Sequence, residues 1–195
     1  MTLEEQIERL TEVGFVFRDQ KLVDQKLAVF EWWNYLDPPF ELLMERITDA
    51  THSAEEHGIC DNVYCTDFKH LRHEGWFAKI ARWLAIKSGN ENRWEIIDVT
   101  SSKADNSWSM TYRIGKNRSE LTTPYPHKYG WSTFMFQMLP DFASEENCFY
   151  VYENPEPRFN RTPLVCWLPR ESSVKLAEIF GEKIQMFDRE IRGLA

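Results

Sequence analysis

Glycine is scarce in this sequence of 195 residues, and its scarcity argues against the common phosphate-binding loops. Only eight glycines occur, and none forms the Gly-x-Gly-x-x-Gly turn of dinucleotide-binding folds. The stretch Gly115-Lys116-Asn117 lacks the upstream glycine and the adjacent Ser or Thr of a P-loop. A Gly-x-Ser-x-Gly nucleophile elbow is also missing. These enzyme classes are therefore disfavoured, and the sequence identifies no catalytic residue and no small-molecule substrate.

Cysteines and long apolar runs are also sparse. Four cysteines are too few for a disulfide scaffold in a chain of this length. No stretch approaches the roughly 20 apolar residues that a membrane helix needs. The N-terminal stretch is acidic and amphipathic, without the charged-then-apolar pattern of a signal peptide. We therefore expect a cytoplasmic protein with no membrane association.

Basic residues are outnumbered, because 31 Asp and Glu face 23 Lys and Arg and leave a net charge of −8. Binding to nucleic acid needs a basic face, so a nucleic-acid partner is disfavoured. The acidity is concentrated in two stretches. Residues 1–56 carry thirteen acids and five bases, and residues 141–156 carry five acids and no base, whereas the residues between them have a net charge of +3. This asymmetry indicates an acidic contact surface.

The spacing of apolar residues predicts one α+β domain over residues 1–195, with a helical subregion at about 1–88 and a sheet-containing subregion at about 89–195. Helical periodicity predicts a first helix that starts at Thr2, which has capping-box spacing to Glu5, and ends at Gly14. The other expected helices are at about 21–35, 37–57 and 76–84, a short one from 131 that ends at Pro140, and a long C-terminal helix over 176–194.

A change to a period of two predicts strands in the second subregion. Residues 107–114 alternate strictly, with Trp108, Met110, Tyr112 and Ile114 facing inward. Further strands are expected at 94–99, 119–123, 148–152 and 164–168. We therefore predict N-terminal helices followed by a roughly five-stranded, mainly antiparallel sheet, with helices packed on one face and the long C-terminal helix.

Residues 52–73 hold six of the nine His and Cys residues of the chain. Imidazole nitrogen and thiolate sulfur are the ligands of tetrahedral zinc sites, and the best-spaced set is Cys60, Cys65, His70 and His73. Their spacing matches no common zinc module. The alternative is that the cysteines fill the core and the histidines lie on a polar surface. Zinc is thus the one cofactor that the sequence suggests.

Two segments place large aromatic residues beside carboxylates, at 31–37 and at 141–156. In the first, a single apolar stripe on a continuous helix cannot bury Trp32, Trp33 and Tyr35 together, so either a second layer covers them or some are exposed. Exposed Trp and Tyr beside charge are typical of protein interfaces. The residues predicted to contact a partner are Glu31, Trp32, Tyr35, Asp37, Glu145, Glu146, Tyr150, Tyr152, Glu153 and Glu156. The alternative is that the aromatics are core residues and the acids form an ordinary solvated face.

Charge and composition favour an inhibitor that binds another protein, of the immunity or antitoxin type. Its expected partner is a basic toxin that attacks nucleic acids, because an acidic surface would steer towards the basic active site and occlude it. A phage-encoded acidic inhibitor of a host defence system would bind its target by the same electrostatic attraction. The alternative from another class is a metal-dependent enzyme or a zinc-stabilised domain that uses the cluster at 52–73.

Overall fold

The computed structural model describes residues 1–51, 59–65, 74–102, 107–124, 130–153 and 163–188. The α-helices in this part of the chain are α1 (Leu3–Glu12), α2 (Gln20–Leu27), α3 (Glu41–Thr51), α4 (Glu74–Lys87), α5 (Gly130–Phe142) and α6 (Ser173–Phe180). The strands are β1 (Val63–Cys65), β2 (Trp94–Ser102), β3 (Ser107–Ile114), β4 (Asn117–Pro124), β5 (Asn147–Tyr152), β6 (Leu164–Pro169) and β7 (Ile184–Phe187). The predicted α+β class is confirmed. None of the described helices combines the length and the apolar character needed to cross a membrane.

The strands form two sheets, so the prediction of a single five-stranded sheet was wrong. One sheet has the order β1-β6-β5-β7, and the other is the meander β2-β3-β4. Every pair whose register is defined is antiparallel, as expected. Periodicity did not reveal two short strands, and it does not determine that β4 and β5 belong to different sheets. Strand β1 has only three residues, and β7 lies where a helix was expected.

The prediction of a long C-terminal helix was also wrong. Helix α6 has eight residues and ends at Gly181, whose φ of +58° lies in the left-handed region that favours glycine at a helix end. The chain then makes a short 3₁₀ turn and continues as β7. Ile184 and Phe187 fit helical spacing from α6, but glycine ends the helix before them. Residues 189–195 of the predicted helix lie outside the described residues.

The chain groups into two compact units. The first, called here the acidic unit, comprises Met1–Cys65 and Tyr150–Met186, and the second, the neutral unit, comprises Thr66–Phe149 and Phe187–Ala195. By sequence the acidic unit holds nineteen acids and ten bases, and the neutral unit twelve acids and thirteen bases. The net negative charge therefore belongs to the acidic unit. The single domain divided near residue 88 stays a prediction, and the two units interleave along the chain.

The acidic unit begins with α1, which has the predicted capping box. The hydroxyl of Thr2 accepts from the backbone N–H of Glu5, and the carboxylate of Glu5 accepts from the N–H of Thr2. Gly14 follows the helix with a φ of +97°. A Cβ at Gly14 would collide with the ring of Pro169, so this close approach of α1 to β6 requires glycine.

The neutral unit contains a three-stranded sheet against which helix α5 packs. Met110, Tyr112 and Ile114 of β3 are buried, which confirms the predicted alternation at these three positions. Helix α5 packs against β3 and β4, and α4 packs against α5. Pro140 lies inside α5, which continues to Phe142, so the prediction that this proline ends the helix was wrong.

Candidate protein-binding surface

Exposed apolar side chains concentrate just after helix α2. Val29, Trp32 and Trp33 are exposed by 64%, 63% and 55%, and Glu31 between them is also exposed. Large aromatic side chains are normally among the most buried, so two exposed tryptophans in sequence are unusual. Val29, Glu31, Trp32 and Trp33 are called the tryptophan patch below. This patch is the candidate binding surface of the acidic unit.

The patch exists because α2 ends earlier than the periodicity predicts. A helix to Tyr35 was expected, but α2 stops at Leu27, and Trp32–Tyr35 forms a separate 3₁₀-helix. Tyr35 is buried, and its hydroxyl donates to the carbonyl of Leu27 at 2.7 Å. This bond satisfies one of the carbonyls that a helix leaves unpaired at its C-terminal end. Burial raises the pKa of Tyr35, while the charge of Arg46 acts in the opposite direction. Tyr35 is therefore the inward anchor of a turn whose tryptophans point outward.

Gln6 of α1 holds this segment at two points. Its side chain is fully buried; the amide Nε2 donates to the carbonyl of Tyr35 at 2.6 Å, and Oε1 accepts from the backbone N–H of Phe40 at 2.7 Å. Phe40 has a φ of +69°, a conformation that costs energy for a residue with a side chain. Its ring packs edge-on against Phe180 at 5.8 Å between centroids. The turn is thus fixed by buried contacts although its outer side is open.

The two exposed indoles contact each other. Their centroids are 5.8 Å apart and their planes meet at 80°, so the edge of one ring faces the other. This is a favourable aromatic geometry, because the ring edge is electropositive and the ring face electronegative. Mutual packing restricts both side chains before any partner arrives. A pre-ordered side chain loses less entropy on binding.

Negative charge accompanies the patch. Glu31 and Asp37 flank the 3₁₀-helix and are exposed. The guanidinium of Arg46 lies 5.5 Å from the ring centroid of Phe30 and donates to the carbonyl of Lys26 at 3.1 Å. Of the predicted contact residues in 31–37, three are therefore on the surface and Tyr35 is in the core.

The described residues of the second aromatic–acidic segment, 141–153, do not form a comparable surface. All residues of β5 from Cys148 to Tyr152 are buried, so the side chains on both faces of this strand are covered, and the strand lies between β6 and β7. Tyr150 donates from its hydroxyl to the carbonyls of Pro169 and Arg170 at 3.2 and 3.3 Å. The predicted contact residues Tyr150 and Tyr152 thus belong to the core. A strand of nearly continuous apolar and aromatic residues is typical of a sheet covered on both faces.

Tyr152 lies in an aromatic cluster bordered by acids. Its ring meets Phe180 edge-on at 5.1 Å. Burial raises the pKa of Tyr152 above its ordinary value, and the carboxylates of Glu41 and Glu45 raise it further. Glu41 accepts a hydrogen bond from the ammonium of Lys183 at 2.5 Å. These contacts stabilise the acidic unit internally.

The remaining acids of the second segment are divided between the two units. Glu145 and Glu146 are exposed in the neutral unit, and Glu153 is exposed in the acidic unit, where its backbone N–H donates to the carbonyl of Lys183 at 2.8 Å. Glu156 lies outside the described residues. The ten predicted contact residues therefore do not all belong to one unit.

The predicted metal ligands are described only in part. Cys60 is buried, and burial raises the pKa of its thiol, with the charges of Cys166 and Asp61 adding to the effect. Cys65 lies on β1 opposite Leu164, while His70 and His73 lie outside the described residues. In the described ranges no group of three or more His, Cys, Asp or Glu side chains could hold a metal ion. The zinc site stays a prediction.

Two residues of this surface were missed from the sequence. Val29 and Trp33 were left out of the predicted contact set because a continuous helix was assumed over 21–35. The signal available was the local sequence itself, in which Trp32 and Trp33 stand next to each other and cannot share one helical stripe with Tyr35. The clamp role of Gln6 has no sequence signal, since it depends on contacts with residues 29 and 34 positions away.

Known proteins offer no template for this arrangement: the chain matches no family model, no curated protein and no solved structure.

Proposed function

We propose that this protein binds a basic protein partner through the tryptophan patch and inhibits it, as an immunity or antitoxin protein inhibits its toxin. The observation that carries the proposal is the pair of exposed tryptophans held on a fixed turn in the acidic unit. Tryptophan is enriched among the few residues that supply most of the binding energy at protein interfaces. A phage-encoded inhibitor would use this surface in the same way.

The charge of the acidic unit supports a basic partner. Nineteen acids against ten bases give this unit a strong negative field, which would speed the approach of a positively charged protein. Enzymes that act on nucleic acids carry basic substrate-binding faces. Exposed indoles would provide contact energy once the field has oriented the two proteins. Steering and anchoring are thus assigned to different groups of the same unit.

Capture with the full chain tests the proposal. The immobilised protein is exposed to lysates of its source organism and of competing strains, and a captured protein is identified, purified and assayed with and without the chain. We expect a basic protein whose activity on nucleic acid falls to background at equimolar inhibitor. Binding should weaken with rising salt, because screening removes the steering field.

A matched pair of variants links capture to the patch. Replacing both Trp32 and Trp33 with Ala should weaken binding by about 2–4 kcal/mol, the range typical of interface hot spots. Replacing Ile86 and Ile97, two exposed apolar residues of the neutral unit, with Ala should leave affinity unchanged. The proposal fails when no basic protein is captured, or when the double-Trp variant binds the captured protein as tightly as the unaltered chain does.

A further inference from the structure

We propose that Trp32, Trp33 and Glu31 together receive an arginine side chain of the partner. This inference rests on the proposed function and specifies the chemistry of the group that the surface recognises. A guanidinium is planar and cationic, so it can stack on an indole face while it pairs with a carboxylate. The patch offers both kinds of group on neighbouring residues.

The geometry of the indoles supplies the first argument. Two ring planes that meet at 80° with centroids 5.8 Å apart form a corner with two walls. A cation seated in such a corner lies against electronegative ring faces, which is the principle of aromatic cages for ammonium groups. Both side chains are more than half exposed, so a group from outside can reach the walls.

Charge complementarity supplies the second argument. Glu31 is exposed and immediately precedes Trp32. The surrounding unit has a strong excess of acids, which favours a cation over a neutral or anionic group at this corner. A neutral aliphatic group would gain only contact with the rings. An arginine gains that contact, the attraction of the ring faces and the pairing with the carboxylate.

A second acidic place in the same unit is the competing site. A groove of about 660 Å³ lies between α1 and α6, and its lining includes Glu8, Glu12 and Glu178 as well as Arg9 and Lys175. The described lining of this groove already contains two cations and includes no aromatic ring. It can attract a basic peptide by charge, whereas the tryptophan patch can also recognise the planar shape of a guanidinium.

Nuclear magnetic resonance of the full chain with ¹⁵N-labelled tryptophan tests the proposal. The probe is an acetylated and amidated tetra-arginine peptide, and the control is the tetra-citrulline peptide, which has nearly the same shape but no charge. The indole signals of Trp32 and Trp33 are assigned by replacing each residue in turn with Phe. We expect the arginine peptide to shift these two signals and the citrulline peptide to leave them in place.

Variants locate the binding site. Trp32→Leu and Trp33→Leu should each weaken binding of the arginine peptide about two- to fivefold, the worth of one exposed cation–π contact. Both positions are exposed, so these variants keep the fold. The Glu8→Gln, Glu12→Gln double variant of the groove should weaken binding less than either tryptophan variant. Absence of indole shifts, equal shifts with citrulline, or a loss seen only with the groove variant would overturn the proposal.

The outcome is separable from that of the proposed function. Arginine-dependent indole shifts without capture of any basic protein would remove the inhibitor function and keep the arginine site. Capture through the patch without arginine-dependent shifts would keep the inhibitor function and remove the arginine site.

Discussion

The acidic and neutral units differ in what they present to solvent. Among the described residues, the large apolar side chains exposed in the acidic unit include two tryptophans, whereas those in the neutral unit are Ile86 and Ile97. Two pairs of aromatic rings described in the neutral unit contact each other, Trp83 with Phe149 and Phe136 with Phe187. Charge follows the same division, since the whole excess of acids lies in the acidic unit. Among the described residues, negative charge and exposed aromatic side chains therefore coincide in the acidic unit.

The units also satisfy their buried polar groups differently. In the acidic unit, side-chain amides bind irregular backbone: Gln6 holds the segment around Tyr35, and Asn62 binds the backbone of Gly14, Val16 and Trp167. In the neutral unit, the hydroxyl of Tyr112 donates to the carboxylate of Asp141, which joins β3 to α5. Amide side chains suit the binding of irregular backbone because they both donate and accept hydrogen bonds. The acidic unit thus relies on a few long-range bonds to fix its turns.

The largest expected effect comes from removing the Gln6 clamp. Gln6→Leu keeps the size of the side chain but leaves a buried carbonyl and a buried N–H without partners. We expect the free energy of unfolding to fall by about 2–5 kcal/mol, because each orphaned buried group costs about 1–3 kcal/mol. Urea unfolding measures the loss. Glu8→Gln on the exposed side of α1 is the control, and a loss below about 1 kcal/mol for Gln6→Leu would contradict the clamp.

A pair of tyrosine variants compares the units directly. Tyr35→Phe and Tyr112→Phe each remove one buried hydroxyl bond, to Leu27 in the acidic unit and to Asp141 in the neutral unit. Each should lower the free energy of unfolding by about 1–2 kcal/mol. Affinity for the captured partner should fall only with Tyr35→Phe, because only that hydroxyl anchors the turn of the patch. An equal loss of affinity in both variants would contradict the assignment of partner binding to the acidic unit.

Alkaline pH should weaken the acidic unit. Burial raises the pKa of Tyr152 in the folded chain, so in the unfolded chain this group ionises first, at about pH 10. Its contribution to stability is therefore fully present below about pH 10 and declines as the pH rises further. Tyr152→Phe should reduce the loss of stability between pH 9 and pH 10.5 by up to about 1 kcal/mol. Denaturant unfolding at the two pH values measures the loss of stability. Identical losses in the unaltered chain and in Tyr152→Phe would contradict the role given to Tyr152.

The smallest effect is expected on the open face of the neutral unit. Arg113 pairs with Glu95 at 2.5 Å, but about half of each side chain is exposed. Solvent screens such pairs, so Arg113→Ala should change the free energy of unfolding by less than about 1 kcal/mol. Partner affinity should not change. A tenfold loss of affinity in Arg113→Ala would indicate that the binding surface lies on the neutral unit.

The fold could be predicted where local rules decide it. The capping box of Thr2 and Glu5 and the alternation of β3 depend on neighbours in sequence, and both were read correctly. The division into two sheets could not be predicted, because the alternation of side chains locates strands but does not determine which strands pair. The positions of Ile184 and Phe187 fit both a continuation of helix α6 and a separate strand. Such ambiguity is resolved only by tertiary contacts.

The candidate site was predicted in part. Adjacent tryptophans between acids marked the segment, and Trp32 is exposed as expected. Burial of Tyr35, Tyr150 and Tyr152 was not readable, because a tyrosine beside carboxylates is compatible with a surface and with a core whose acids point outward. The early end of α2 decided which rings face solvent. The Tyr35 hydroxyl bonds to the last residue of α2, and Gln6 holds the segment that follows; neither contact is readable from neighbouring residues.

Amide hydrogen exchange of the full chain, with and without the captured partner at saturation, tests the central claim most directly. The account predicts new protection in residues 28–36, which contain the tryptophan patch, and none in the β2-β3-β4 sheet of the neutral unit. Protection confined to that sheet, with exchange at 28–36 unchanged, would contradict the assignment of the acidic unit as the binding surface.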